Sequence, residues 1–162
     1  MSRASLLLVY IVSLFASGSF SVTSVCDGWV REEKTNKNKD AKKSLEGTWQ
    51  VIKHIDTSGK PTPDDEISEF TFEFKGTKLT KRVTKGTPGT WAYFKADGTK
   101  SPMWMDFTHP RFEKLKYLAI YRFTEDRLEI CMAAEYEEKP TFRPSEFKAS
   151  EKSILFVLKK KE

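Results

Sequence analysis

Apolar and polar positions alternate along short segments of the chain from residue 45 onward, and Gly, Pro and Asp separate these segments. A period of two is typical of β-strands that bury one face and expose the other. In Glu69–Lys75, for example, Phe70, Phe72 and Phe74 share one face and the polar residues share the other. The pattern predicts eight strands, at Thr48–Ile55, Glu69–Lys75, Lys78–Thr84, Thr90–Lys95, Met103–Thr108, Tyr117–Thr124, Arg127–Ala133 and Ser153–Lys160.

The connections predict that strands adjacent in sequence also pair in space. Gly76-Thr77 is a two-residue loop whose leading glycine suits a type II′ hairpin, and Glu125-Asp126 has the same length. The polar segments Ile55–Ile67 and Glu135–Ser150 are predicted to be long loops, the first with a helical turn at Asp64–Ile67. Sequentially paired strands leave open edges unless the sheet closes. We therefore predict an all-β fold, an eight-stranded antiparallel up-and-down barrel that side chains fill or that holds one small ligand.

The first residues have the composition of a secretory signal. Arg3 supplies the positive n-region, and Leu6–Ala16 is an apolar run that is too short to span a bilayer. Cleavage after Ser21 satisfies the small-x-small rule, and Ala16 with Gly18 offers a second cleavage position. We expect a signal peptide at 1–21, a polar lysine-rich linker at 22–44 and the barrel at 45–162. The protein is thus expected to be extracytoplasmic: periplasmic, in the cell envelope or secreted.

The two cysteines bear on membrane attachment and on redox state. Cys26 follows the leader where an acylated lipoprotein cysteine would lie, but the bulky Val25 before it departs from that pattern, so we do not expect a membrane anchor. Cys131 lies in a predicted strand and is expected to be a small buried thiol. A disulfide between Cys26 and Cys131 is permitted in an oxidising compartment.

The net charge of +5 comes mostly from lysines. Nucleic-acid recognition favours the arginine fork, whereas Lys34–Lys43 mixes lysine with Asn and Asp, as in a solvated linker. We therefore expect no nucleic-acid partner.

The sequence has none of the residue patterns that are typical of enzymes or metal centres. His54 and His109 are the two histidines, and neither lies at a metal-ligand spacing. There is no Gly-x-Ser-x-Gly nucleophile elbow, and the proline in Gly86–Gly89 removes a backbone donor that a phosphate loop needs. The acidic groups Asp64–Glu66 and Glu135–Glu138 lack the alternate ligand spacing of a calcium loop. We expect no catalytic residue, no cofactor and no metal.

The first predicted strand opens with Gly47-Thr48-Trp49, which resembles the Gly-x-Trp signature of the lipocalin and avidin type of barrel. In those families the tryptophan closes one end of the barrel, and a basic side chain from the last strand covers it. The resemblance implies this role for Trp49, with Gly47 as part of the signature and Lys159 or Lys160 as the covering residue.

A wider resemblance extends over nearly the whole of Leu45–Lys160. It is carried by Leu45-Glu46-Gly47-Thr48-Trp49, Phe72-Glu73-Phe74-Lys75-Gly76-Thr77-Lys78, Met105-Asp106-Phe107-Thr108, Ala119-Ile120-Tyr121-Arg122-Phe123, Asp126–Ala133, Arg143-Pro144-Ser145-Glu146-Phe147 and Ile154–Lys160. These segments resemble an uncharacterised lipocalin-like domain family best known from planctomycete bacteria, and Trp91–Lys100 departs from it in composition. The resemblance implies a lipocalin-like barrel in an exported protein and no activity, because that family has no established one.

Aromatic residues of the predicted strands form the candidate ligand site. If Trp49 closes one end, a small apolar or amphipathic ligand would bind at the other end, among Phe72, Trp91, Trp104 and Tyr121. The same side chains could instead fill the barrel. The protein would then be a non-catalytic structural or protein-interaction module of the cell envelope.

Asp106 is a carboxylate within the otherwise apolar segment Met103–Phe107. Alternation places it on the same face as Trp104. If that face lies inside the barrel, Asp106 could orient a ligand. If it lies outside, Asp106 is an ordinary surface residue beside an exposed Trp. This structural role, which includes pairing with Arg122 or a loop amide, is the one that we expect.

Overall fold

A computed structural model of the chain describes residues 45–83 and 89–162 and shows every strand paired antiparallel with the next one in sequence. The strands are β1 (Gly47–Ile55), β2 (Phe70–Lys75), β3 (Lys78–Val83), β4 (Gly89–Asp97), β5 (Met103–Thr108), β6 (Lys116–Thr124), β7 (Arg127–Ala133) and β8 (Ser153–Lys160), and one helical turn, α1 (Asp64–Ile67), lies between β1 and β2. Because β1 also pairs with β8, the sheet closes on itself. The predicted all-β, eight-stranded up-and-down barrel is therefore confirmed.

The predicted elements agree with the observed ones. Each strand overlaps its predicted segment, and α1 is the predicted helical turn. Gly76 has a φ of 62°, as the leading position of a type II′ turn requires, and Glu125 has a φ of 56° although it carries a side chain. The predicted signal peptide, the linker and Cys26 lie outside the described residues.

The strand register divides the side chains into an inward and an outward face. Phe72 lies opposite Trp49 of β1 and opposite Lys81 of β3, and Phe107 lies opposite Phe94 of β4. Large side chains fill much of the interior, as expected for a barrel of this strand number. The buried inward-facing residues include Trp49, Val51, Phe72, Phe74, Leu79, Phe94, Met105, Phe107, Tyr121, Leu128, Ile130, Met132, Phe156 and Leu158.

The connection between β7 and β8, residues 134–152, lies on the outside of the barrel, and we call it the covering segment. Its Phe147 packs on a second buried cluster, formed by Ile120, Cys131, Leu155 and Val157. Strands β7 and β8 are thus buried on both faces, which explains why their sequences contain unbroken apolar runs.

Cys131 is a free, buried thiol, as expected from the sequence. Its Sγ donates a hydrogen bond to the carbonyl oxygen of Lys148 in the covering segment at 3.4 Å. Burial raises the pKa of this thiol. Cys26, with which a disulfide is permitted, is not among the described residues.

Arg143 attaches the covering segment to the barrel wall. Its guanidinium donates hydrogen bonds to the Asp106 carboxylate and to the Ala119 carbonyl oxygen, both at 2.6 Å, and it stacks on Trp104 at 4.3 Å from the ring centroid. Asp106 therefore lies on the outer face, and the hypothesis that it orients a ligand inside the barrel is wrong. Its partner is Arg143 rather than Arg122, which pairs with a glutamate of β7.

Trp49 closes one end of the barrel. Its indole is 3% exposed, and Nε1–H donates a hydrogen bond to the Leu45 carbonyl oxygen at 2.8 Å. The ammonium of Lys160 lies 5.5 Å from the indole centroid. Gly47 has a φ of 117°, where other residues are strained, and a Cβ there would lie 3.4 Å from Cε of Lys160. The covering residue is thus Lys160 rather than Lys159, which points outward to a surface aspartate at 3.1 Å.

Replacing Trp49 with Ala should lower the free energy of unfolding by about 3 to 5 kcal/mol, because it empties a buried site and removes the contact with Lys160. Equilibrium urea denaturation measures this change. Trp104→Ala is the matched control: this indole is 38% exposed, so its loss should cost only about 1 kcal/mol. Equal losses in the two variants would show that Trp49 does not have the closing role.

Candidate ligand site at the open end of the barrel

The end of the barrel opposite Trp49, which we call the open end, is lined by a different set of side chains. Here β1 and β3 finish and β4 and β6 begin. His54, Lys81, Trp91 and Tyr117 come from these four strands, and each is half-buried rather than buried. The open end thus combines aromatic rings with titratable groups, whereas the Trp49 end is sealed.

Trp91 is the centre of an aromatic wall. The β3–β4 register shifts between Leu79 and Thr80, so Trp91 is an extra residue in its strand. Such a bulge re-aims a side chain, and the indole stacks on Phe72 at 5.6 Å between centroids. It also meets the rings of Phe107 at 5.7 Å and Tyr117 at 6.2 Å.

His54 faces into the barrel because β1 also contains a register shift, between Val51 and Lys53. Its ring stacks on Phe156 at 4.5 Å, and Nδ1 lies 2.7 Å from the Thr62 hydroxyl. Burial lowers the pKa of His54 below 6.5, and the positive charge of Lys81 lowers it further against the weaker opposing effect of a nearby aspartate. At neutral pH the imidazole is therefore mostly uncharged.

Lys81 is the cation of the open end. It lies opposite Phe72 in the β2–β3 register and so belongs to the inward face, and its ammonium lies 4.5 Å from the Phe70 ring centroid. Burial lowers the pKa of Lys81. Among the described residues, no carboxylate forms an ion pair with it.

Two stacked tyrosines form one rim of the open end. The rings of Tyr117 and Tyr136 are 3.5 Å apart between centroids, and His109 lies edge-on to Tyr136 at 5.0 Å. Burial raises the pKa of both phenols, with a further increase from Glu135 at Tyr117. Both hydroxyls therefore stay protonated at neutral pH and can donate hydrogen bonds.

The four residues expected to bind a ligand do not lie together. Phe72 and Trp91 stack on each other at the open end. Tyr121 is fully buried and lies nearer the Trp49 end, edge-on to Phe123. Trp104 faces outward under Arg143, so its assignment to the barrel interior is wrong. Sequence reasoning also missed His54, Lys81 and the tyrosine pair.

Clefts also lie on the outer surface of the described barrel. One lies between the covering segment and β8, where Pro144, Lys148 and Ser153 line it. Another is lined by Ala133, Thr141 and Lys152, and a further one lies beside α1. Within 45–83 and 89–162, no cluster of His, Cys, Asp or Glu is arranged to hold a metal ion, and no helix is long and apolar enough to cross a membrane.

Comparisons with known proteins do not identify a relative. No family model, no curated protein and no solved structure matches the sequence. The resemblance to the planctomycete lipocalin-like family therefore stays a prediction.

The low pKa of His54 predicts a pH dependence of stability. In the unfolded chain this group titrates near its ordinary pKa of 6.5, so the unfolded state binds more protons than the folded state as the pH falls through that value. The free energy of unfolding should decrease between about pH 7 and pH 5, with a slope from this group below about 1.4 kcal/mol per pH unit. His54→Gln should reduce that slope in urea titrations. An unchanged slope in the His54 variant would contradict the assignment.

Tyr121 generates a second prediction, because its hydroxyl is buried without a hydrogen-bond partner among the described residues. Burial, together with the charge of Asp97, raises its pKa to about 12. Tyr121→Phe removes only the unpartnered hydroxyl, so the free energy of unfolding should stay unchanged or rise by up to about 1 kcal/mol. Tyr121→Ala should lower it by about 3 kcal/mol or more. A clear loss of stability in the Phe variant would mean that the hydroxyl has a partner.

Proposed function

We propose that this protein is a non-enzymatic, extracytoplasmic binding protein whose barrel takes a small amphipathic ligand at its open end. The observation that carries the proposal is the difference between the two ends. Trp49 is 3% exposed at one end, while His54, Lys81 and Trp91 face inward and remain half-exposed at the other. Concave sites with aromatic walls and a few polar groups are typical of small-molecule binding.

The filled interior limits the size of the ligand. Phe72, Phe107 and Phe156 are buried directly below the open end, so a ligand can insert only a short apolar part. That part would contact Trp91 and Tyr117, and the polar part would stay near solvent. An amphipathic molecule meets both conditions.

A structural or protein-interaction module is the alternative function, and it would require a continuous apolar patch on the outer surface. The exposed large apolar side chains of the described surface are spread over four elements and connections: Ile52, Tyr93, Trp104 and Phe112. Trp104 is moreover covered by Lys100 and Arg143. This scattered distribution favours ligand binding at the open end over protein binding at the outer wall.

The test uses 1-anilinonaphthalene-8-sulfonate as a fluorescent probe with the folded mature protein. Trp91→Leu removes the stacking surface but keeps an apolar side chain, and we expect it to weaken probe binding about tenfold. Trp104→Leu, on the outer face, should leave the affinity unchanged. Near-ultraviolet circular dichroism of each variant confirms that the barrel is intact.

Native mass spectrometry of the protein purified from its own host complements the titration, because a co-purifying molecule would identify the natural ligand. We expect it to protect Trp91 from an external quencher and to raise the melting temperature with concentration. Failure of any probe to bind, or an equal effect of the two tryptophan variants, would refute binding at the open end.

A further inference from the structure

Lys81 is a cation that faces an aromatic interior, and no carboxylate within 45–83 and 89–162 forms an ion pair with it. An ammonium in such surroundings is normally paired with a carboxylate, because desolvation otherwise disfavours its charge. Its only close interaction within 45–83 and 89–162 is with the Phe70 ring at 4.5 Å. The neighbouring Arg82 of the same strand, by contrast, faces outward and pairs with Glu73 at 2.7 Å.

The described part of the chain does not supply the missing charge. Burial is what lowers the pKa of Lys81, and no acidic group opposes that shift. His54, whose pKa is lowered by the charge of Lys81, is not acidic either.

We infer that Lys81 binds the anionic head group of the ligand, and that the ligand is an amphipathic carboxylate whose apolar tail contacts Trp91. The inference rests on the proposed binding function and specifies the class of ligand. One ammonium matches one negative charge, which favours a carboxylate over a doubly charged phosphate. The Phe72–Trp91 stack lies beside Lys81 on the same inward face, where a tail attached to the bound carboxylate can reach it.

The experiment compares dodecanoate with dodecanol, which differ in the charge of the head group and have the same chain length, only a short part of which has to enter the barrel. Both are titrated by isothermal calorimetry at pH 8 and about 0.15 M salt, below their critical aggregation concentrations. In the unmodified protein, dodecanoate should bind about tenfold more tightly than dodecanol, as expected for one charge-assisted hydrogen bond.

Lys81→Met keeps the length and apolar character of the stem but removes the charge. We expect it to abolish the preference for dodecanoate while leaving the affinity for dodecanol unchanged. Lys81→Arg should keep most of the preference. The matched control is Lys78→Met, since Lys78 is exposed on the outward face of the same strand, opposite Lys75; this variant should behave as the unmodified protein does.

Two different failures are distinguishable in these titrations. If neither compound binds the unmodified protein, the proposed binding function fails, and this inference fails with it. If both compounds bind with equal affinity, or if Lys81→Met keeps the preference for dodecanoate, only the role of Lys81 is overturned. Should Lys81→Met fail to fold, Lys81→Gln provides the same comparison.

Discussion

The pairing of β1 with β8 is the interaction on which the rest of the structure depends. It closes the sheet, removes both free edges and turns one face of every strand into an interior. It also creates the contacts at the two ends of the barrel. Lys160 reaches Trp49 across this pair of strands, and Phe156 stacks on His54 across the same pair. Loss of this ladder would therefore remove the sealed end and the candidate site together.

The interior divides into a part that stabilises the fold and a part that keeps polar groups. Near Trp49 the inward side chains are almost entirely apolar, and their burial favours folding. At the other end, His54 and Lys81 are partly desolvated, and burial lowers the pKa of both. Desolvation of these titratable groups works against stability, and the contacts of His54 with Thr62 and Phe156 and of Lys81 with Phe70 offset that cost only in part. Such groups are more common at functional sites than in cores.

The strands and the closed fold could be predicted because side-chain direction follows from position wherever alternation is regular. Alternation predicts the wrong face for His54. Counting from Trp49 places this residue outward, but the register shift in β1 turns it inward. Lys81 could have been found, because it shares the face of Leu79. Trp104 could have been excluded from the ligand site, because alternation places it on the face opposite to the inward side chains of its strand. The partner of Asp106, in contrast, lies 37 residues away in a loop, and no local pattern encodes that contact.

The Trp49 end also determines how the domain is connected to whatever precedes it. Leu45, the first described residue, accepts the hydrogen bond from the Trp49 indole, and Lys160, near the last residue, lies over the same ring. Leu45 and the end of β8 thus lie side by side, on the side of the barrel away from Lys81 and Trp91. A tether joined at either terminus would hold the mouth of the barrel pointing away from its attachment. The same proximity of Leu45 to the end of β8 makes the barrel suitable for circular permutation or for insertion into another protein without obstructing that mouth.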